Sequence, residues 1–129
     1  MIPVRHKDIG FQIAYMKAKF PNLKYSKRKW VGWIQPQQGF DKYKVSVVYN
    51  GTRPPNVFLL DPPLVDGAEH VYRCDRSLCL YYPKDWIWDD SKIIALTILP
   101  WTYAWLYFYE VWLDTGVWYG EEAPHTINK

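Results

Sequence analysis

Cysteine is scarce in this chain, and its scarcity excludes several common kinds of site. The 129 residues contain two cysteines, Cys74 and Cys79, with four residues between them. This spacing matches neither a four-ligand zinc pattern nor a Cys-x-x-Cys redox motif. We therefore expect free thiols, no metal site and no cofactor.

Features that direct a protein to a membrane are also missing. No apolar signal core follows the charges in residues 1–7, so we expect a cytoplasmic protein whose thiols stay reduced. Residues 93–109 are uncharged, but this run is short and contains Pro100 at its middle. We expect no membrane-spanning helix.

Acidic residues are rare in the first part of the chain. Residues 1–53 carry eleven Lys or Arg against two Asp, a net charge of +9, whereas residues 54–129 carry five against eleven Asp or Glu, a net charge of −6. Four cations lie close together in the basic part: Lys24, Lys27, Arg28 and Lys29. Such a face attracts nucleic acid or an acidic protein, and a solvated face without a partner is the third alternative.

Aromatic residues, in contrast, are abundant. They make up 19% of the chain and include eight Trp. An enclosed aromatic side chain removes roughly 150–250 Å² from solvent, so a short chain can form a dense core. We expect a single domain over residues 1–129.

Residue spacing in the first half predicts one helix followed by strands. Apolar residues recur at helical spacing after Asp8, a favourable N-cap, and Pro21 ends the pattern. β-favouring residues predict three antiparallel strands over residues 29–34, 42–49 and 56–60.

The second half predicts a long loop and two helices. The loop reaches the apolar patch at residues 78–80, and loops of this length are usually functional or disordered. The cluster at residues 89–91 is a favourable cap for a helix over residues 91–99, and Pro100 suits the first turn of a second helix ending near Gly116. The order indicates an α+β fold with helices on one sheet face.

The second predicted helix carries a stripe of aromatic residues at spacings of four, three and four: Trp101, Trp105, Phe108 and Trp112. A stripe of this kind can stack nucleic-acid bases. Aromatic residues at helical spacing more often pack into a core, and we expect a core role here.

Several motifs around Cys79 resemble the active-site region of ubiquitin-conjugating enzymes. Residues 77–80, Ser-Leu-Cys-Leu, match the signature of a small residue, an aliphatic residue, Cys and Leu. The Pro-Pro pair at residues 54–55 corresponds to the pair that begins the last strand in that family, and Trp86 or Trp88 follows at the expected distance. The resemblance covers most of the chain up to about residue 99.

The sequence of residues 78–83, Leu-Cys-Leu-Tyr-Tyr-Pro, and the Trp-rich end of the chain are most similar to prokaryotic members of that superfamily. These small proteins are encoded in type II (short) CBASS antiphage operons beside cGAS-like nucleotidyltransferases, or beside bacterial ubiquitin-like proteins. The resemblance implies a UBC-like fold with an N-terminal helix, an antiparallel meander sheet, an active-site loop and C-terminal helices on one sheet face. It also implies that Cys79 carries a protein C-terminus as a thioester and transfers it to an amine.

The chain itself has no means of activating a carboxyl terminus. Its seven glycines form no phosphate-binding loop. The acyl group must therefore come from an activating enzyme or from the tail of a partner that reaches Cys79 directly. The expected partners are the C-terminus of a cGAS-like nucleotidyltransferase or of a ubiquitin-like protein.

One departure from the eukaryotic pattern lies before the cysteine. Val71 and Tyr72 follow His70, so the Asn of the family's His-Pro-Asn motif is absent. Candidates for stabilising the oxyanion or positioning the acceptor are the local backbone amides and five side chains: His70, Tyr81, Tyr82, Lys84 and Asp85. The alternatives are a loop histidine that satisfies backbone groups for His70, ordinary loop packing for the two tyrosines, and a turn after Pro83 for Lys84 and Asp85.

Candidate partner-binding residues are Lys17, Lys19, Lys24, Lys27 and Tyr72. We expect Cys79 at the edge of a shallow groove, partly accessible to solvent, with Leu78 and Leu80 turned inward. Cys74 lies in a polar stretch and is interpreted as an incidental exposed thiol.

Two other classes of function remain open. The absent Asn is compatible with a non-catalytic adaptor that keeps the fold and holds a partner protein. The clustered lysines are compatible with a nucleic-acid-binding module, the less favoured alternative.

Overall fold

A computed structural model describes residues 6–120 of the chain. Its elements are helix α1 (Ile9–Lys19), strands β1 (Lys24–Ser26), β2 (Lys29–Ile34), β3 (Tyr43–Asn50) and β4 (Arg53–Asp61), a short 3₁₀ helix (Ile94–Leu96) and helix α2 (Ile98–Thr115). The α+β class predicted from the sequence is confirmed. None of the helices within residues 6–120 is long and apolar enough to cross a membrane.

The sheet has four antiparallel strands in the order β1-β2-β3-β4. The three predicted strands form as β2, β3 and β4, whereas β1 was not predicted. Strand β1 was missed because three residues are too few for an alternating pattern to stand out. The turn from β1 to β2 also lacks the glycine that usually indicates a hairpin. Lys27 and Arg28 adopt the left-handed conformation there instead, with φ of 50° and 68°.

One face of the sheet forms the core with α2. Alternate residues of β3, including Tyr43, Val45 and Val47, are buried as predicted from their spacing. The hydroxyl of Tyr43 donates a hydrogen bond to Oε1 of Glu110 on α2 over 2.6 Å. The helix and the sheet are thus joined by a polar contact as well as by apolar packing.

Helix α1 begins and ends as its sequence predicts. The carboxylate of Asp8 accepts a hydrogen bond from the backbone N–H of Phe11 over 2.8 Å, which caps the first turn. The buried amide of Gln12 joins α1 to the segment before α2, donating to the Lys92 carbonyl over 2.8 Å and accepting from the Ile94 N–H over 3.1 Å.

The predicted helix over residues 91–99 does not form. The carboxylate of Asp89 accepts hydrogen bonds from the N–H and hydroxyl of Ser91 only two residues on, which makes a turn rather than a helix cap. Ile93 is extended, and only the 3₁₀ turn precedes α2. Pro100 lies in the first turn of α2, and Gly116 caps its end with φ of 77°, both as predicted.

Candidate active site

Cys79 lies at the end of a hairpin-like loop between β4 and α2. An isolated antiparallel bridge pairs Val71 with Leu78. The backbone N–H of Leu78 donates to the Val57 carbonyl of β4 over 2.8 Å, and the N–H of Cys79 donates to the His70 carbonyl over 2.8 Å. The sheet and the hairpin together fix the backbone position of the cysteine.

The sulfur of Cys79 is more enclosed than the sequence predicts. The residue is 6% exposed, so the expectation of partial solvent access was wrong. Its thiol donates to the Tyr81 carbonyl over 3.5 Å, and its environment is therefore not purely apolar. Leu78 is buried as expected, whereas Leu80 is half-buried and packs against the core.

Burial raises the pKa of the Cys79 thiol above its ordinary value of 9.0, and a hydrogen bond with the Tyr72 side chain acts in the opposite direction. Burial also raises the pKa of Tyr72. Both groups are therefore protonated at neutral pH. The Tyr72 hydroxyl is a neutral donor next to the sulfur.

Cys79 borders a cavity of about 640 Å³, called the aromatic cavity below. Its wall comprises His70, Cys79, Leu80, Tyr81, Tyr82, Asp85, Trp86, Trp101, Ala104, Trp105, Phe108, Trp118, Tyr119 and Gly120. The residues before α2, α2 itself and the segment after α2 all contribute to this wall. The cavity is large enough for a substrate group beside the sulfur.

The family model for type II CBASS E2 proteins matches residues 12–126, nearly the whole chain. The chain belongs to the type II CBASS E2 family. This membership confirms the resemblance to CBASS proteins drawn from the residues around Cys79. A search of curated proteins gives no match to this sequence.

The family designation indicates an E2-like role in CBASS conjugation, alongside other CBASS components. Among residues 6–120, no three His, Cys, Asp or Glu side chains form a group that could hold a metal ion.

The structure brings four of the five predicted positioning residues of this E2 protein to the aromatic cavity. These are His70, Tyr81, Tyr82 and Asp85. Lys84 is exposed and does not belong to the cavity wall.

Three of the local backbone amides that were predicted as oxyanion donors, those of residues 77–79, donate to groups within the protein. The N–H groups of Leu78 and Cys79 donate to backbone carbonyls, and the N–H of Ser77 donates to Oδ1 of Asp75 over 2.9 Å. These donors already have partners. Tyr72, predicted only as a partner-binding residue, is the side chain that lowers the pKa of the Cys79 thiol against the effect of burial.

His70 helps to position Cys79 through its backbone carbonyl. It adopts a left-handed conformation with φ of 58°, and its carbonyl accepts from both the Cys79 N–H and the Trp105 indole N–H, the latter over 3.1 Å. Its buried ring packs against Trp118, with centroids 4.9 Å apart.

The predicted lysines lie on other elements. Lys17 and Lys19 are exposed in the last turn of α1, Lys24 is exposed in β1, and Lys27 is exposed in the β1–β2 turn. None of these four belongs to the wall of the aromatic cavity.

Sequence reasoning missed the part of the wall formed by Trp101, Trp105, Phe108 and Trp118. Trp105 is buried as expected of a core residue, but it also faces the cavity, so the assignment of the stripe to the core was incomplete. The spacing of the stripe predicts a shared helix face. It carries no information on whether a cavity interrupts the packing on that face.

A second cavity, a groove of about 370 Å³, shares Leu80 and Tyr81 with the wall of the aromatic cavity. Tyr72, Leu80 and Tyr81 contribute to its wall, together with Arg53 and Asn56. The groove brings polar groups of β4 close to the hairpin that ends in Cys79.

Proposed function

We propose that this protein adopts a UBC-like fold and carries the C-terminal acyl group of a CBASS partner as a thioester on Cys79, then transfers it to an amine. The partner is a cGAS-like nucleotidyltransferase or a ubiquitin-like protein. The observation that carries the proposal is the position of the Cys79 sulfur. It lies at the end of a hydrogen-bonded hairpin and borders a cavity of about 640 Å³.

The first step is an exchange of thioesters. The Cys79 thiolate attacks the carbonyl carbon of an activated C-terminus, a new C–S bond forms, and the thiol of the donor leaves and takes up a proton. The enclosed position of the sulfur limits the access of hydrolytic water to the thioester.

The second step forms the amide. A neutral amine attacks the thioester carbon, the C–N bond forms, the C–S bond breaks, and the Cys79 sulfur leaves while the amine loses a proton to solvent. The developing oxyanion needs a donor, and the nearby backbone N–H groups of residues 77–79 already have partners. We assign this role to the Tyr72 hydroxyl, because Tyr72 is the side chain that favours negative charge on the Cys79 sulfur.

The test is direct acylation of Cys79. The protein is mixed with a peptide thioester that copies the last residues of the partner, and intact mass is measured before and after addition of free lysine. We expect a mass gain equal to the acyl group, its loss with hydroxylamine, and its transfer to lysine.

Cys74 provides a matched control because it is an exposed free thiol five residues away. Cys79→Ala should abolish the adduct, whereas Cys74→Ala should retain it. Cys79→Ser should give an adduct that lysine discharges slowly, because an oxygen ester is less reactive. An adduct that depends on Cys74 would contradict the proposal.

A non-catalytic adaptor is the second candidate, and the enclosed thiol with a raised pKa favours it. An adaptor would bind the partner equally well as wild type or as Cys79→Ala. It would form no adduct at any pH at which the protein stays folded.

A further inference from the structure

A third cavity, of about 430 Å³, lies on the sheet face that points away from α2 and is called the sheet-face cavity below. Its wall includes Lys29, Ser46, Val48, Phe58, Leu64 and Arg76. We propose that this cavity binds a small organic anion, in which a carboxylate or phosphate is attached to a flat apolar body. The site lies apart from Cys79, and the inference does not depend on the proposed function.

The register of the strands determines which face carries this cavity. Ser46 of β3 pairs with Phe58 of β4, and Val48 of β3 pairs with Lys29 of β2. Paired residues share a sheet face, whereas Val47, between the two β3 residues, points into the core. The volume of the cavity lies within the range of small-molecule sites.

The first argument for an anion is charge. Lys29 and Arg76 line the cavity, and no Asp or Glu belongs to its described wall. Neither cation takes part in the ion pairs within residues 6–120. Asp61 is the one acidic residue in the four strands, and its register partner is Lys44. The cavity therefore attracts a negative group.

The second argument is the position of the Arg76 side chain. Its Nη2 donates a hydrogen bond to the Leu64 carbonyl over 3.1 Å, which holds the guanidinium beside the cavity. A guanidinium has five N–H donors in a fixed planar arrangement. Donors therefore remain for a carboxylate or phosphate, the groups that match this arrangement.

The third argument is a buried hydroxyl group. Ser46 is 5% exposed and belongs to the wall, and no hydrogen bond within residues 6–120 uses its hydroxyl. Buried hydroxyl groups in proteins usually have a partner. An anionic oxygen in the cavity would accept this hydrogen bond, while Val48 and Phe58 would contact the apolar body of the ligand.

A single-stranded nucleic acid is the other anionic ligand to consider, because Lys24, Lys27 and Arg28 are also exposed. Its phosphates would follow the exposed cations of the β1–β2 turn and would not need a recess that contains a buried hydroxyl. A small organic anion uses the cations, the hydroxyl and the apolar wall of the cavity together.

The experiment compares naphthalene-2-carboxylate with naphthalene-2-carboxamide, which share their rings and differ in charge. Binding to the full chain is followed in ¹H-¹⁵N spectra. We expect the carboxylate to bind about tenfold more tightly, because it accepts charge-assisted hydrogen bonds. The largest shifts should occur at the amides of Ser46, Val48 and Phe58 rather than at the indole N–H groups of Trp86 and Trp101 in the aromatic cavity.

Matched variants separate the site from general effects of charge. Lys29→Gln and Ser46→Ala should each weaken the carboxylate about threefold and leave the carboxamide unaffected. The controls are Lys84→Gln and Ser26→Ala, which remove an exposed cation and an exposed hydroxyl outside the wall. Equal binding of the two ligands by the wild-type protein would overturn the inference, as would equal losses in the control variants or shifts confined to the aromatic cavity.

Competition distinguishes a small anion from a macromolecular partner. A short oligothymidine and a short polyglutamate peptide are added to the complex with naphthalene-2-carboxylate. We expect neither to displace the small ligand at concentrations at which that ligand itself binds. Displacement by the oligothymidine would assign this face to nucleic acid, displacement by polyglutamate would assign it to an acidic protein segment, and either result would overturn the inference.

Discussion

At the level of single residues, the side chains of Cys79 and Tyr72 affect each other's pKa. Enclosure keeps the thiol protonated, and the Tyr72 hydroxyl is the nearby side-chain group that stabilises a negative charge on the sulfur. At pH values below the pKa, the fraction of thiolate rises about tenfold for each unit by which the pH increases. Charging of Cys79 from a peptide thioester should therefore accelerate as the pH rises above neutrality.

The Tyr72 hydroxyl should be required for rapid acyl transfer. Tyr72→Phe removes the donor that we assign to the oxyanion, and we expect discharge to lysine to slow by roughly 100-fold. In the wild-type protein the Tyr72 hydroxyl lowers the pKa of Cys79. Its removal should therefore raise that pKa and move the pH profile of charging to higher pH. Single-turnover discharge followed by mass spectrometry measures both effects.

Tyr107→Phe is the matched control, since Tyr107 lies on α2 outside the wall of the aromatic cavity. An unchanged discharge rate in Tyr72→Phe would contradict the assignment. A stability loss shared by both variants would be seen separately in their unfolding curves.

At this scale the Asp8 cap was predicted correctly, because it belongs to a local motif, and the motif around Cys79 is likewise local, although the role of Cys79 stays a prediction. The sequence does not identify the contact of Tyr72 with the sulfur. That contact depends on the hairpin pairing of Val71 with Leu78, which a local pattern does not encode.

Among the elements, α1 and the β1–β2 turn carry the exposed lysines of the basic half. Lys17 and Lys19 end α1, where cations are also favoured by the helix dipole. Lys27 and Arg28 occupy left-handed positions where Asn-Gly is the usual choice. Their charge on an exposed turn agrees with the proposal that this region meets an acidic partner surface.

Reversing charge on α1 should slow association with the natural donor. We expect the double variant Lys17→Glu, Lys19→Glu to reduce the rate of Cys79 charging several-fold at low salt, with a smaller effect at high salt. Discharge to free lysine should not change, because these residues are outside the cavity wall.

The double variant Lys42→Glu, Lys44→Glu has the same change in net charge at the start of β3, with Lys42 just before the strand and Lys44 within it. If it slows charging as much, a general charge effect accounts for the result and the partner surface on α1 is wrong. Stopped-flow charging at several salt concentrations gives the comparison.

The helices were predicted correctly where residues close in the sequence determine their bounds, and wrongly where distant residues do. The bounds of α1 follow from Asp8 and Pro21, whereas the predicted helix over residues 91–99 failed. There the Asp89 carboxylate bonds Ser91, and the buried Gln12 of α1 bonds the Lys92 and Ile94 backbone. A contact from a residue about eighty positions away outweighs local helix propensity and cannot be read from a sequence window.

In the whole molecule, several buried groups titrate at high pH. Burial raises the pKa of Cys79 above 9.0 and those of Tyr43, Tyr72, Tyr81 and Tyr103 above 10.0. The folded protein therefore retains protons that the unfolded chain loses in alkaline solution. These groups make no difference to stability at lower pH, where both states are protonated.

The free energy of unfolding should accordingly fall as the pH rises above about 9, by up to about 1.4 kcal/mol per pH unit for each group. Urea unfolding between about pH 7 and about pH 11 measures the slope. Cys79→Ala should have a shallower slope near about pH 9, where the thiol of the unfolded chain loses its proton. A free energy that rises with pH there would contradict the assigned burial.

The shared acceptor at His70 has a consequence for local motion. Its carbonyl bonds the N–H of Cys79 within the hairpin and the indole N–H of Trp105 on α2, so separation of the hairpin from α2 breaks only the second bond. In deuterated water, the indole hydrogen of Trp105 should therefore be replaced when the hairpin separates from α2, whereas the amide hydrogen of Cys79 is replaced only when the hairpin itself opens. Exchange of the Cys79 amide should then respond to denaturant in parallel with the amide of Arg76, bonded within the hairpin to the Tyr72 carbonyl, while the Trp105 indole follows its own course.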